Sequence, residues 1–485
     1  MTTRTANRKT ASPMAVDPAL PVVTNDFVED TFTRVTGASL VHGNEVKLLI
    51  NAEANYPAWL EAIRSAEERI YFESYIIHGD EQGDIFADAL IDRAKSSVDV
   101  KLIYDWLGGL GKTPRRFWRR LAAEGIEVRC YNPPKLSDPL GVFSRDHRKV
   151  LTVDGQIAFV SGLCVGQDWV GYPAKDIQPW RDTGVQLRGP AVADVESAFA
   201  EVWATMGEPL PSEAIARRSN INEAGSISLR VIQTVPGQGH VYRADHLLAS
   251  VARETMWLTD AYFVGVPSYL QSMKDASRDG VDVRILVPRS TDIALIRDTT
   301  RSTYRPLLEA GVRVFEWNGP MVHAKSAVFD GRFARIGSTN LNIASWFSNY
   351  EIDVLVEDRD FAVLVEEMFL NDLADSTEIV LADTARMPRH RRTGERKEKR
   401  TGGGSVRKAT AGALNAATSI SSAIAKRSPL GPAESRLLFI AGFSLLMLAL
   451  LFIVFPRAAS IPLIILLLML ALPTLFKAAQ NYRNN

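Results

Sequence analysis

Asp146-His147-Arg148-Lys149-Val150-Leu151-Thr152-Val153-Asp154 and Val322-His323-Ala324-Lys325-Ser326-Ala327-Val328-Phe329-Asp330 carry one spacing, H-x-K-x4-D, at two places in a single chain. Only seven histidines occur in the sequence. At this lysine and aspartate content about 0.01 chance matches are expected, so two matches constitute a motif. In both copies His and Lys alternate on an apolar, β-branched run that ends in Asp-Gly, which reads as a strand with His and Lys on one face. A second apolar segment follows each run, at 157–160 and 333–336. It leads into a small-residue turn, Ser161-Gly162 or Gly337-Ser338, whose backbone N–H groups can cradle an anion.

Imidazole, ammonium and nearby amides at a strand end suit a phosphate ester. One imidazole can attack phosphorus while another protonates the leaving oxygen, and the lysines offset charge on the phosphoryl oxygens. A single His-x-Lys is ordinarily a half-exposed strand with solvated polar residues. Its duplication argues for chemistry.

The motifs are part of a longer repeat. Phe72-Glu73-Ser74-Tyr75 is echoed by Thr259-Asp260-Ala261-Tyr262, Val98-Asp99-Val100 by Val281-Asp282-Val283, and Glu124-Gly125-Ile126 by Ala310-Gly311-Val312. These landmarks are displaced by 187, 183 and 186 residues and the histidines by 176, which indicates a duplicated domain rather than a short solenoid repeat. Within the first copy a strand at 69–77, a helix at 85–94, a strand at 98–104, a helix at 115–124 and a strand at 126–130 alternate, as βαβ units do. Two such halves can pack about a two-fold axis and bring His147 and His323 together.

The chain of 485 residues is 46% hydrophobic and has zero formal net charge, so it can bury a sizeable core and has no global field to steer it to nucleic acid. Its two cysteines, Cys130 and Cys164, have no metal or redox spacing and read as core residues of a reduced compartment. Residues 1–41 lack the apolar core of a secretory signal and read as a mobile tail. Between 386 and 408 ten Lys or Arg face two Glu, with three consecutive glycines, as in an unstructured basic tether. Two nineteen-residue stretches without charge, 437–455 and 458–476, then suggest a C-terminal helical hairpin with both ends facing the cytoplasm. Pro462, Pro473 and the short turn also fit a hairpin that dips into one leaflet.

The paired motifs resemble those of the phospholipase D superfamily, whose two H-x-K-x4-D copies meet at one site across a pseudo-two-fold axis. The resemblance spans roughly 45–358, and the second copy continues in the family manner as Gly337-Ser338-Thr339-Asn340. The first departs, with Ser161-Gly162-Leu163-Cys164 where an Asn is usual. The fold implied is α/β: two duplicated phospholipase-D-like halves packed about a pseudo-two-fold axis, plus the transmembrane hairpin. Its expected divisions are a tail at 1–41, halves at 42–215 and 216–385, a basic tether at 386–434 and membrane helices at 435–477.

The resemblance implies His147, Lys149, Asp154, His323, Lys325 and Asp330 as catalytic residues. It also implies Ser161, Gly162, Asp182, Ser338, Asn340 and Glu351 as substrate-binding or supporting residues, with Glu351 bonding a motif histidine and Asp182 its counterpart. The strand-end alternative for Asp182 is a salt bridge to Arg181 or another base. No metal or cofactor is implied.

Phe72-Glu73-Ser74-Tyr75, Asp146-His147-Arg148-Lys149 and Trp180-Arg181-Asp182-Thr183 look most similar to the bacterial cardiolipin synthase branch. That resemblance implies a membrane-bound phosphatidyltransferase making cardiolipin from phosphatidylglycerol through a phosphatidyl-histidine, with His147 as nucleophile and His323 as acid/base. Near-symmetry leaves the reverse roles open. The implied setting is a bacterial inner membrane with the catalytic region cytoplasmic, phospholipid partners and no nucleic acid. Alternatives are a hydrolytic phospholipase D, a phosphatidylserine or phosphatidylethanolamine synthase, and a non-catalytic anion-binding module.

Overall fold

The computed structural model describes residues 25–134 and 144–381, together with positions 443, 446 and 447. Fifteen strands form one sheet across these residues. In the first half they are β1 (Val41–Ile50), β2 (Arg69–Ser74), β3 (Asp99–Asp105), β4 (Glu127–Tyr131), β5 (Lys149–Val153), β6 (Ile157–Ser161) and β7 (Thr183–Arg188). In the second they are β8 (Ile227–Thr234), β9 (Thr255–Asp260), β10 (Asp282–Pro288), β11 (Arg313–Trp317), β12 (Lys325–Phe329), β13 (Phe333–Gly337), β14 (Glu351–Glu357) and β15 (Ser376–Ile379).

The spatial order is β15-β11-β10-β9-β12-β13-β14-β8-β1-β7-β6-β5-β2-β3-β4. Read outward from the antiparallel β1–β8 contact, where Val41 faces Leu229 and Asn44 faces Ile227, seven strands follow in equivalent order on each side. The duplication is therefore a pseudo-two-fold of one continuous sheet, with β15 added at one edge. In each half three strands are parallel and joined through helices, β2-β3-β4 and β9-β10-β11. The motif strands β5 and β12 insert antiparallel beside them.

The helices start where the side chains permit. Asp80 accepts the Gly83 N–H at the head of Glu81–Lys95, and Asp358 accepts that of Phe361 at the head of Arg359–Ala374; each such cap contributes about 1 kcal/mol. Trp59, Phe72, Phe86 and Phe159 anchor a core in the first half, and Met256, Leu258, Tyr269 and Ile285 one in the second. A third core joins the halves: Val160, Val185, Val195 and Ala198 of the first pack with Ile336, Val354, Val365 and Phe369 of the second. Each such Val, Ile or Phe side chain contributes about 1.5–3 kcal/mol of burial, so the interface that frames the site is as well buried as either core.

The stretch read as an N-terminal tail contains a helix, Asn25–Thr36, whose Phe32 stacks on Phe333. The expected fold needs a larger correction at the other end. Among the described residues no helix is long and apolar enough to cross a membrane. The two expected spans lie outside the described residues except at 443, 446 and 447, and the basic tether lies wholly outside. The architecture of the described residues is thus two halves of one sheet, with no transmembrane hairpin among them. The expected inner-membrane location with a cytoplasmic catalytic region rested on that hairpin and is withdrawn with it. Nineteen uncharged residues satisfied a length and hydropathy rule, which is a statement about composition rather than about a formed helix.

Candidate active site

Just ahead of β5 and β12, each motif strand is joined to the other half. The His147 N–H donates to the Tyr350 carbonyl at 2.9 Å, and the Tyr350 N–H to that of Arg145 at 2.8 Å. In the mirror position the His323 N–H donates to the Arg181 carbonyl at 2.7 Å, and the Arg181 N–H to that of Met321 at 2.9 Å. These bridges deliver the residues that follow. His147 Nδ1 lies 2.9 Å from Glu351 Oε2, and His323 Nδ1 lies 2.7 Å from Asp182 Oδ2. The carboxylates are exchanged: each histidine is served by the other half.

A carboxylate at Nδ1 fixes the tautomer with its proton there, which leaves Nε2 as the free base. Other donors hold the carboxylates in turn. Trp169 Nε1 donates to Asp182 Oδ2 at 2.9 Å and the Thr183 N–H to Oδ1 at 2.8 Å. Ser338 Oγ donates to Glu351 Oε2 at 2.6 Å and itself accepts the Ile352 N–H. Gly162 leaves room for this arrangement, because a Cβ there would stand 2.2 Å from Asp182 Oδ1.

Lys149 Nζ donates to the His147 carbonyl at 2.5 Å, and Lys325 Nζ to that of His323. Lys325 Nζ also lies 3.1 Å from His323 Nε2. Both lysines are buried. Lys325 depresses His147 and Lys149 depresses His323, so the four groups share one field across the halves. Burial, then the neighbouring ammonium groups, brings His147 down to about 4 and His323 to about 3 against the pull of their carboxylates. Burial and Lys149 lower Lys325 to about 8 although Asp182 opposes them. Burial would raise Asp182, but His323, Lys325 and Trp169 outweigh it and hold the carboxyl at about 2; Glu351 is lowered in the same way.

Aromatic rings flank the imidazoles unequally. Tyr75 packs edge-on to His147 at 5.0 Å, whereas Trp169, Trp180 and Tyr262 surround His323 at 5.5, 5.6 and 5.8 Å. Beneath β5, on the Arg148 side, Glu73 and Asp146 form a buried carboxyl pair. Burial and then Asp146 raise Glu73, and burial brings Asp146 up to about 7. Neither Glu73 oxygen has an N–H or hydroxyl donor.

Not every expected residue comes to the histidines. Asp154 and Asp330 sit at the opposite ends of β5 and β12 in left-handed backbone, φ 53° and 51°. Their carboxylates accept backbone N–H groups of residues 67–69 and 253–255. Ser161 Oγ donates to the Leu163 carbonyl. Asn340 is buried with an unpartnered carbonyl oxygen, and its counterpart in the first half is the buried thiol of Cys164. Trp169 escaped the sequence reading; its only signal was a second Trp, Trp346, at nearly the motif interval. Among the described residues no group of three or more His, Cys, Asp or Glu is arranged to hold a metal.

A family model described as "Cardiolipin synthase, PLD-like domain" matches residues 59–166 and 247–373, one segment in each half. Cardiolipin synthase of Geobacillus sp. is 31% identical over 344 residues, covering 69% of this chain and 67% of that protein. Cardiolipin synthase A of Pseudomonas aeruginosa is 31% identical over 366 residues, covering 75% and 74%. The crystal structure of phosphatidylserine synthase from Haemophilus influenzae superposes with a TM-score of 0.55 at 15% identity, covering 72% of this chain and 92% of that one, a likeness of fold alone. The matched segments contain both motif copies and Glu351, and the chain belongs to the phospholipase D superfamily, with a catalytic domain similar to those of the bacterial cardiolipin synthases.

Proposed function

We propose that this enzyme makes cardiolipin from two molecules of phosphatidylglycerol by way of a phosphatidyl-histidine. The exchanged histidine–carboxylate pairs carry the reading, because they leave both Nε2 atoms without a proton in one field of two lysines. His147 Nε2 attacks phosphorus, forming a P–N bond as the P–O bond to glycerol breaks, and His323 gives that glycerol its proton. The hydroxyl of a second phosphatidylglycerol then attacks phosphorus, passes its proton to His323 and releases His147. Both imidazoles are neutral before substrate binds; the arriving phosphodiester draws Lys325 off His323 Nε2 and adds the negative charge that lets His323 carry a proton.

Lys149 and Lys325 neutralise the phosphoryl oxygens, and Asn340 binds one of them through its carboxamide. Asp182, Glu351, Ser338 and Gly162 hold the imidazoles in place. Asp154 and Asp330 support the strands, with Ser161 shaping the turn after β6. The halves at 42–215 and 216–385 each supply one motif and one carboxylate, so neither is proposed to work alone.

Purified enzyme given phosphatidylglycerol in detergent micelles should form cardiolipin and free glycerol in equal amounts, and denatured enzyme trapped in turnover should carry acid-labile, alkali-stable phosphate. His147→Ala should abolish that label and His323→Ala retain it. Phosphatidic acid as the sole lipid product would make the enzyme a hydrolase, and label surviving only in His147→Ala would reverse the two roles.

A further inference from the structure

The two carboxylates that serve the histidines have a second common feature. The backbone carbonyl of each accepts from a buried guanidinium: Asp182 O from Arg181 Nη1, and Glu351 O from Arg148 Nε at 3.1 Å. Arg148 is fully buried and Arg181 is 5% exposed. Each guanidinium is anchored on one long helix. Arg148 donates to the Ala198 carbonyl at 2.6 Å and to Glu201 Oε2 at 3.3 Å, both on helix Val192–Ala204. Arg181 grips Asp372 of helix Arg359–Ala374 with two parallel bonds of 2.7 and 2.9 Å.

Glu201 and Asp372 stand in the final turns of their helices, where the helix dipole disfavours a negative charge. The same local rule is broken at equivalent places in both halves, and in both the offsetting cation reaches the strand that carries a histidine's partner. Arg148 and Arg181 are not equivalent in sequence. One is the residue between His and Lys of the first motif; the other directly precedes Asp182. Ala324 and Tyr350 occupy the corresponding positions in the second half. The fold thus meets one requirement with two different residues.

We propose that Arg148 and Arg181 are positioning residues, each fixing one carboxylate against its histidine: Arg148 sets Glu351 on His147, and Arg181 sets Asp182 on His323. This rests on the reading of the two imidazoles as the reacting groups, but its geometric part stands independently of turnover. A bidentate guanidinium cannot be replaced by an ammonium without losing one bond and the planar fork. Displacing a reacting group by about 1 Å can cost about 100-fold in rate.

The test uses full-length protein with 15N-labelled histidines, the two active-site signals being assigned by loss in His147→Gln and His323→Gln. Arg181→Lys should change the tautomer balance and titration of His323 and leave His147 as it was, and Arg148→Lys should do the converse. Each should lower kcat about 10- to 100-fold with KM within about twofold. Asp372→Asn and Glu201→Gln, which keep side-chain shape, should act in the same directions with smaller effect and serve if a lysine variant does not fold. Unchanged imidazole signals in folded variants, or both imidazoles altered alike by either substitution, would overturn the assignment. Absence of a phosphoenzyme in the wild type would instead count against the covalent reading and leave the imidazole result standing.

Discussion

His147 Nδ1 and Glu351 Oε2 stand 2.9 Å apart although their residues lie 204 positions apart in sequence and in different halves of the sheet. The mirror pair, His323 and Asp182, is 141 residues apart and runs the other way across the interface. Neither half therefore contains a complete histidine–carboxylate pair. Any motion that separates the halves dismantles both pairs together, which ties both to the buried core between helices Val192–Ala204 and Arg359–Ala374.

Removing the charge of either carboxylate should test that dependence. Glu351→Gln can turn its amide N–H toward the imidazole, favouring the tautomer with its free base at Nδ1 and no base at Nε2. The expected loss in kcat is about 10²- to 10⁴-fold, the range of a misplaced general base. Asp182→Asn should do the same through His323. Steady-state rates within about threefold of wild type would remove the carboxylates from the chemistry.

The aspartates of the two motifs should behave differently. Asp154 and Asp330 each tie down three successive backbone N–H groups from left-handed positions that Asn tolerates and Ala does not. Asp330→Ala should lower stability by about 1.5–3 kcal/mol, the worth of hydrogen bonds to a charged group. Asp330→Asn should recover much of it. Denaturant unfolding would show this, and kcat per folded molecule should stay within about twofold. A large kcat loss in a fully folded Asp330→Asn would return this residue to the reacting groups.

The strand rhythm and the repeat were legible because each depends on local spacing or on self-similarity. The expected helix at 85–94 and strand at 98–104 are Glu81–Lys95 and β3 in the structure. The exchange of carboxylates was not legible, since it follows from how two strand approaches pair across an interface. The salt bridge weighed for Arg181 is made with Asp372, not with the adjacent Asp182 side chain. The hairpin has no counterpart among the described residues, and hydropathy measures a segment's composition rather than the element it forms. Asp154 and Asp330 were placed with the reacting groups because motif membership was taken for proximity, although β5 and β12 hold them at the far end.

Activity should fall on the alkaline side through the charge of Lys325. Burial, with Lys149 beside it, brings this ammonium to about 8, so its proton is held below that pH and lost above it. kcat/KM, which reports the free enzyme, should decline as pH rises through about 8. In the complex the bound phosphate favours the ammonium, so the same limb in kcat should lie at higher pH. Lys325→Arg should move the limb out of range while lowering the rate, because guanidinium stays charged but cannot occupy the same space. An alkaline limb unchanged in Lys325→Arg would assign it to another group.

The buried Glu73–Asp146 pair predicts a stability that depends on pH with a definite sign. Burial brings Asp146 to about 7, and burial with Asp146 raises Glu73. Below about 4 both folded and unfolded chains hold these protons, whereas between about 4 and 7 only the folded chain does, so this pair's contribution falls as pH rises through that window. His147 and His323, lowered to about 4 and 3, act oppositely: below about 6.5 the unfolded chain takes up protons that the folded chain refuses, so their contribution rises with pH. The opposing slopes mask one another in the wild type, but Glu73→Gln alters only the first. Its amide gives Asp146 a donor without adding charge, so the variant should match the wild type at pH 5 and exceed it at pH 8 by on the order of 2 kcal/mol. Urea unfolding of both proteins at the two pH values measures this difference directly. An equal difference at pH 5 and pH 8 would mean that the two carboxyls hold no shared proton.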